Sequence, residues 1–78
     1  MLKYFEITCD DQTFNLVFDD TIPIPTGKYR SSFIYFATQN SKIIKNIFGD
    51  QLSFGNRARI LKYCWLNISD EFKNNFDV

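Results

Sequence analysis

The stretch LKYFEITCDDQTFNLVF, residues 2–18, decides how this chain begins to fold. Apolar and polar side chains alternate in its first half, with Phe5 and Ile7 on one side, and the alternation returns in its second half. A period of two residues is typical of a half-buried β-strand. The polar connection at residues 10–12 has the length of a hairpin turn. The stretch therefore predicts an antiparallel β-hairpin.

Two prolines place a loop directly after this hairpin. Pro23 and Pro25 cannot donate backbone hydrogen bonds, and each pushes the preceding residue into an extended conformation. Strand-like composition resumes from Tyr29 to Thr38, with an apolar run that suits both faces of a sheet. We expect this segment to form a central third strand. The alternative for the same segment is a helix that begins at Ser31 or Ser32.

A first helix is predicted to end at Phe48, where Gly49 suits the stop. Asn40 or Ser41 is expected to cap its N-terminus, since either side chain can accept a bond from a free backbone N–H. The apolar residues between these points follow helical spacing.

A second helix is predicted over residues 57–68, with Asn56 as its cap. Its apolar residues recur at intervals of three and four, although residues 60–68 also have high strand propensity, which leaves strand as the alternative there. Ser69 precedes two acidic residues, a pattern that predicts a third helix start because carboxylates are favourable near a helix N-terminus.

These signals predict one α+β domain over residues 1–78. Its three-stranded antiparallel sheet, made of the hairpin plus one strand, is followed by two or three C-terminal helices packed on one face. A chain this short needs large buried side chains to fold, and it has nine Phe, four Tyr and one Trp. The aromatic residues expected in the core are Phe5, Phe14, Phe18, Phe48, Trp65, Phe72 and Phe76.

The residues that usually carry catalysis are scarce. The chain has no histidine, which removes the commonest general base and the commonest metal ligand. Cys9 and Cys64 lie far apart among apolar neighbours, as structural thiols do, and the three glycines are isolated. We therefore expect no enzyme activity, no catalytic residue, no cofactor and no metal site.

The charges are segregated along a chain whose net charge is zero. Residues 1–20 carry a net charge of −4, residues 28–62 a net charge of +6, and the tail from Asp70 a net charge of −2. Charge of one sign on one surface steers association and sets orientation. The segregation favours a protein that works by binding another macromolecule.

The principal hypothesis is a small, non-enzymatic protein-binding modulator or inhibitor of another macromolecular machine. Either an acidic hairpin end or a basic surface with tyrosine anchors could meet the partner protein, since Tyr, Trp and Arg dominate binding hot spots. The abundance of residues with A/T-rich codons suggests a phage or mobile-element accessory protein, such as an anti-defence (anti-CRISPR-like) protein. The predicted partner-binding residues are Glu6, Asp10, Asp11, Asp19, Asp20, Tyr29, Arg30, Tyr35, Arg57, Arg59, Lys62 and Tyr63.

The alternative is nucleic-acid binding by the basic, aromatic-rich segment 28–62. Single strands can stack on aromatic rings while cations neutralise phosphate, and a helix carrying arginines can contact a duplex backbone. The sequence has no signal peptide or long apolar stretch, so we expect a cytoplasmic protein with no membrane partner. A homodimer through exposed aromatics or a free sheet edge is a further alternative.

Overall fold

The computed structural model describes residues 1–27, 31–49 and 51–77, and it has an α+β architecture. Two strands come first and pack on helices that follow them in the chain. The elements, in order, are β1 (Leu2–Cys9), β2 (Gln12–Asp19), α1 (Ser32–Phe48), α2 (Phe54–Asn67), α3 (Asp70–Lys73) and a 3-10 turn at Asn74–Phe76.

The predicted hairpin is confirmed. β1 and β2 pair antiparallel, with Leu2 opposite Asp19 at the open end and Cys9 opposite Gln12 at the turn. The turn residues Asp10 and Asp11 have φ angles of 51° and 65°. Two consecutive positive φ angles are those of a type I′ turn, whose twist matches that of the flanking strands.

The predicted third strand is wrong, because the described residues of segment 29–38 belong to the start of α1. The helical alternative beginning at Ser31 holds instead: the Ser31 hydroxyl caps the helix by accepting a hydrogen bond from the backbone N–H of Ile34 at 3.2 Å. Asn40 and Ser41 were expected as caps of a shorter helix but lie in the middle of this one. The described residues form a two-stranded sheet.

Side-chain amides of α1 bond the outer edge of β2 over its half farther from the turn. Asn40 accepts from the backbone N–H of Val17 at 2.7 Å and donates to the Val17 carbonyl at 2.9 Å. Gln39 likewise accepts from the backbone N–H of Asp19 at 2.7 Å and donates to the Asp19 carbonyl at 3.3 Å. Each amide therefore takes the place that a third strand would have filled, which is why a helix can lie where a strand was expected.

The second and third helices are present, with one boundary shifted. α2 starts at Phe54, and its cap is Ser53, whose hydroxyl accepts from the backbone N–H of Asn56 at 3.2 Å. The predicted cap Asn56 is thus inside the first turn. Ser69 caps α3 as expected, accepting from the backbone N–H of Phe72 at 3.2 Å.

Aromatic side chains fill the space between the hairpin and the helices. Phe76 is fully buried and has five aromatic neighbours, whose ring centroids lie 5.1 to 6.1 Å from its own. Of the seven aromatics predicted for the core, Phe14, Phe72 and Phe76 are buried; Phe5, Phe18, Phe48 and Trp65 are half-buried against it. No helix in the described ranges is long and apolar enough to cross a bilayer.

Candidate functional site

The predicted acidic residues do not form one surface. Asp10 and Asp11 occupy the hairpin turn, while Asp19 and Asp20 lie at the other end of β2, about 25 Å away at ~3.4 Å per strand residue. Glu6 is exposed in the middle of β1. The structure thus distributes the negative charge over the length of the hairpin instead of concentrating it at one docking end.

At the open end of the hairpin, two aspartates make local contacts. The Asp19 carboxylate accepts hydrogen bonds from the hydroxyl of Thr21 at 2.6 Å and from its backbone N–H at 2.9 Å, and these bonds lower the pKa of Asp19. Asp20 pairs with the N-terminal amine of Met1. These contacts stabilise the turn after β2 and the open end of the hairpin. The two residues therefore have a structural role that sequence composition does not reveal.

The basic residues, in contrast, are concentrated on the two long helices. Neither α1 nor α2 contains a carboxylate anywhere along its length. Together the two helices contribute five cations: Lys42, Lys45, Arg57, Arg59 and Lys62. A pair of packed helices with cations and no anions presents a positive potential to any molecule that approaches it.

An apolar groove of about 320 Å³ runs between these two helices. Phe54 stands at the start of α2 with 78% of its surface exposed, and the Arg57 guanidinium lies 5.5 Å from its ring centre. Lys62 lies 5.4 Å from the ring centre of Phe33, on the α1 side. The groove is lined by Phe33, Ile34, Ala37, Thr38, Ser41, Phe54, Arg57, Ala58 and Leu61.

A second side of α2 faces solvent, turned away from the groove. Arg59, Lys62, Tyr63 and Leu66 recur at intervals of three and four residues, so they share one side of the helix. Leu66 is 64% exposed and Tyr63 is 44% exposed. Arg59 also reaches the Asp10 carboxylate at 3.2 Å, but both side chains are exposed and such a pair contributes little. We call the groove, with the cations Arg57 and Lys62 beside it, the α1–α2 face.

The structure places the predicted site residues in different parts of the molecule. Arg57 and Lys62 lie on the α1–α2 face. Arg59 and Tyr63 are on another side of α2, where Arg59 contacts Asp10. Tyr35 was expected on a binding surface, but it is only 4% exposed and its hydroxyl donates to the Ile22 carbonyl at 2.7 Å, so it is a core residue. Tyr29 and Arg30 lie outside the described residues.

Two exposed apolar residues of α2 were not predicted from the sequence. The second helix was predicted to begin after Phe54, and Leu66 was given no role, although both are among the most exposed large apolar residues of the described chain. The available signal was Ser53 three residues before Asn56, the spacing of a helix cap, which would have moved Phe54 into the helix. Leu66 lies on the same side of α2 as Arg59 and Lys62, where helical spacing predicts a polar, solvent-facing side.

The two thiols are placed for packing. Cys9 and Cys64 are both buried and unpaired. Burial raises the pKa of Cys64 to about 12, with a further contribution from the nearby Cys9, and it also raises the pKa of Cys9. Both thiols are therefore protonated at neutral pH, and thiolate chemistry needs the deprotonated form. Within the described ranges, no three of the Cys, Asp and Glu side chains converge on a point that could hold a metal ion.

Comparisons with protein-family models, curated proteins and solved structures find no match to this chain.

Proposed function

We propose that this protein is a small, non-enzymatic modulator or inhibitor that binds another protein through its α1–α2 face. The observation that carries the proposal is an apolar groove between two helices that hold five cations and no carboxylate. Apolar area supplies affinity, and the surrounding charge selects and orients the partner. The phage or mobile-element origin, and with it an anti-defence role, remains a prediction from composition.

The complementary partner is an acidic, amphipathic segment. An amphipathic helix can place apolar side chains at intervals of three and four into such a groove, beside Phe54 and Ala37, as in helix-in-groove recognition. Carboxylates flanking its apolar stripe would then meet Arg57 and Lys62 at the rim. Lysines in the same positions would be repelled, so the face discriminates between partners by charge.

The test is affinity capture from the native host with a charge-reversed face. We expect the Arg57→Glu, Lys62→Glu double variant to lose the protein that the unaltered chain captures, because both substitutions put carboxylates against an acidic partner. The control is Lys3→Glu, which introduces the same kind of charge change on the hairpin, away from the face. Equal capture by the unaltered chain and the double variant would overturn the proposal.

Nucleic-acid binding is the second candidate, and the five cations favour it. The stacking platform expected for it is reduced, since Tyr35 and Phe36 are buried, so phosphate contacts from the helices would dominate. Phe54→Ser separates the two functions, because it removes an apolar ring, with its contact to Arg57, and keeps all five cations. Protein capture should fall with this variant, whereas electrostatic binding to an oligonucleotide should persist and weaken steeply with salt. The absence of any mobility shift at low salt would eliminate this second candidate.

A further inference from the structure

The two edges of the hairpin differ in how their backbone groups are satisfied. Asn40 and Gln39 bond the N–H and C=O of Val17 and Asp19, so those groups point away from β1. In an antiparallel pair, the residues opposite them also point outward. On β1 these are Leu2, Tyr4, Glu6 and Thr8.

The outward backbone groups of β1 have no partner within the described part of the chain. No hydrogen bond there reaches the N–H or C=O of these four residues. An edge strand with a continuous row of free donors and acceptors is a template for another strand. β1 is eight residues long, and no proline, glycine or bulge interrupts it.

We propose that β1 is a homodimerisation edge, which pairs antiparallel with β1 of a second copy around a two-fold axis at Phe5. This surface is separate from the α1–α2 face. In this register, Leu2 lies opposite Thr8 of the second copy and Tyr4 lies opposite its Glu6. Because each outward pair exchanges two bonds, the four pairs make eight hydrogen bonds.

The side chains of β1 select a second copy in this register. A shift of two residues toward the turn would set Glu6 against Glu6 of the second copy, and like charges directly opposite each other are destabilising. A shift of two residues away from the turn would leave three outward pairs instead of four. In the central register each Glu6 meets a tyrosine, and no two charges of the same sign face each other.

A groove lies between β1 and the C-terminal helical turns, and Lys3 donates a hydrogen bond to Asn75 at its edge at 2.8 Å. This groove of about 280 Å³ is bounded by Lys3, Tyr4 and Phe5 on β1 and by Phe72 and Asn75 beyond it. Phe5 stacks on Phe72 at 5.5 Å between ring centres but is only half-buried, whereas its cross-strand neighbour Leu16 is fully buried. On the axis, the two Phe5 rings would cover each other's exposed side, which supplies apolar burial at the centre of the interface.

The test compares proline at two matched positions by sedimentation equilibrium of the full chain. Glu6 and Asn15 are directly opposite, both are exposed, and both point their N–H away from the other strand. We expect a micromolar dimer, typical of a small interface. Glu6→Pro should raise the dissociation constant about 100-fold because it removes one bond in each half of the symmetric pair, while Asn15→Pro should leave it within about twofold.

Cross-linking tests the register without relying on proline. Opposite residues of a hydrogen-bonded pair have Cα atoms about 5.5 Å apart, a distance that a disulfide spans. An oxidised mixture of Tyr4→Cys and Glu6→Cys should therefore give the mixed dimer. A chain that stays monomeric to millimolar concentration, an equal effect of both prolines, or preferential cross-linking of Glu6→Cys with itself would each overturn the proposal.

Discussion

At the scale of single residues, Asn40 links the helices to the sheet. Its side chain is fully buried, and it bonds both backbone groups of Val17 as well as the Phe36 carbonyl. A buried amide is tolerated when its donors and acceptor are satisfied, and it becomes costly when they are not. Asn40 thus fixes where α1 meets the edge of β2.

Replacing Asn40 should destabilise the fold. Asn40→Ala leaves the N–H and C=O of Val17 without partners in a partly buried site, so we expect a loss of about 2–4 kcal/mol in the free energy of unfolding, measured with urea. Asn46→Ala, on the exposed side of the same helix, is the control and should change stability by less than ~0.5 kcal/mol. Similar values for the two variants would show that the amide does not stabilise the edge.

Asn40 also explains why the third strand was predicted. Phe36, Asn40 and Ile44 form a fully buried stripe at intervals of four along α1. A polar residue in the middle of that stripe hides the helical period from a hydrophobicity pattern, and asparagine is a common cap, so the helix was predicted to begin there. The backbone groups that Asn40 satisfies are distant in sequence, and no local signal reports them.

At the scale of elements, the hairpin was the most predictable part of the molecule. Its alternation is strict, because one side of each strand faces the core and the other faces solvent. Of the α1–α2 face, only the cations were predictable from the sequence. Its groove depends on how two helices pack against each other, and α1 itself was assigned in part to the sheet.

The hairpin turn stores strain that can be released. Asp11 has a φ of 65°, in the left-handed region where a Cβ costs about 1–2 kcal/mol and glycine is favoured. We expect Asp11→Gly to raise the free energy of unfolding by about 0.5–1 kcal/mol, since glycine's extra freedom in the unfolded chain offsets part of the relief. Thermal and urea unfolding provide the measurement.

Asp11→Ala is the matched variant for this turn, because it removes the same carboxylate but keeps a Cβ. It should be less stable than Asp11→Gly, and also less stable than the original chain, since aspartate tolerates positive φ better than alanine. If the two variants were equally stabilised, the gain would come from removing charge rather than from relieving the backbone.

At the scale of the whole molecule, Phe76 lies at the centre of the aromatic core. Phe76 joins the aromatic side chains of β2, α1, α2 and α3 in one cluster. A core of this size rarely supplies more than ~3–5 kcal/mol of net stability. The aromatic content that the sequence displays is therefore used mainly to build one core, and its remaining exposed members are the ones free to bind.

Substitution of two phenylalanines, one buried and one exposed, distinguishes the core role from the binding role. Phe76→Ala should cost about 3–5 kcal/mol, which is as large as the expected total stability, so we expect a largely unfolded chain at 25 °C by circular dichroism. Phe54→Ala removes a ring that is 78% exposed and should leave the spectrum and the melting temperature nearly unchanged. A folded Phe76→Ala variant would mean that the C-terminal turn is not required for the core. A melting temperature lowered substantially by Phe54→Ala would mean that this ring stabilises the fold, and its exposure would then no longer argue for a partner.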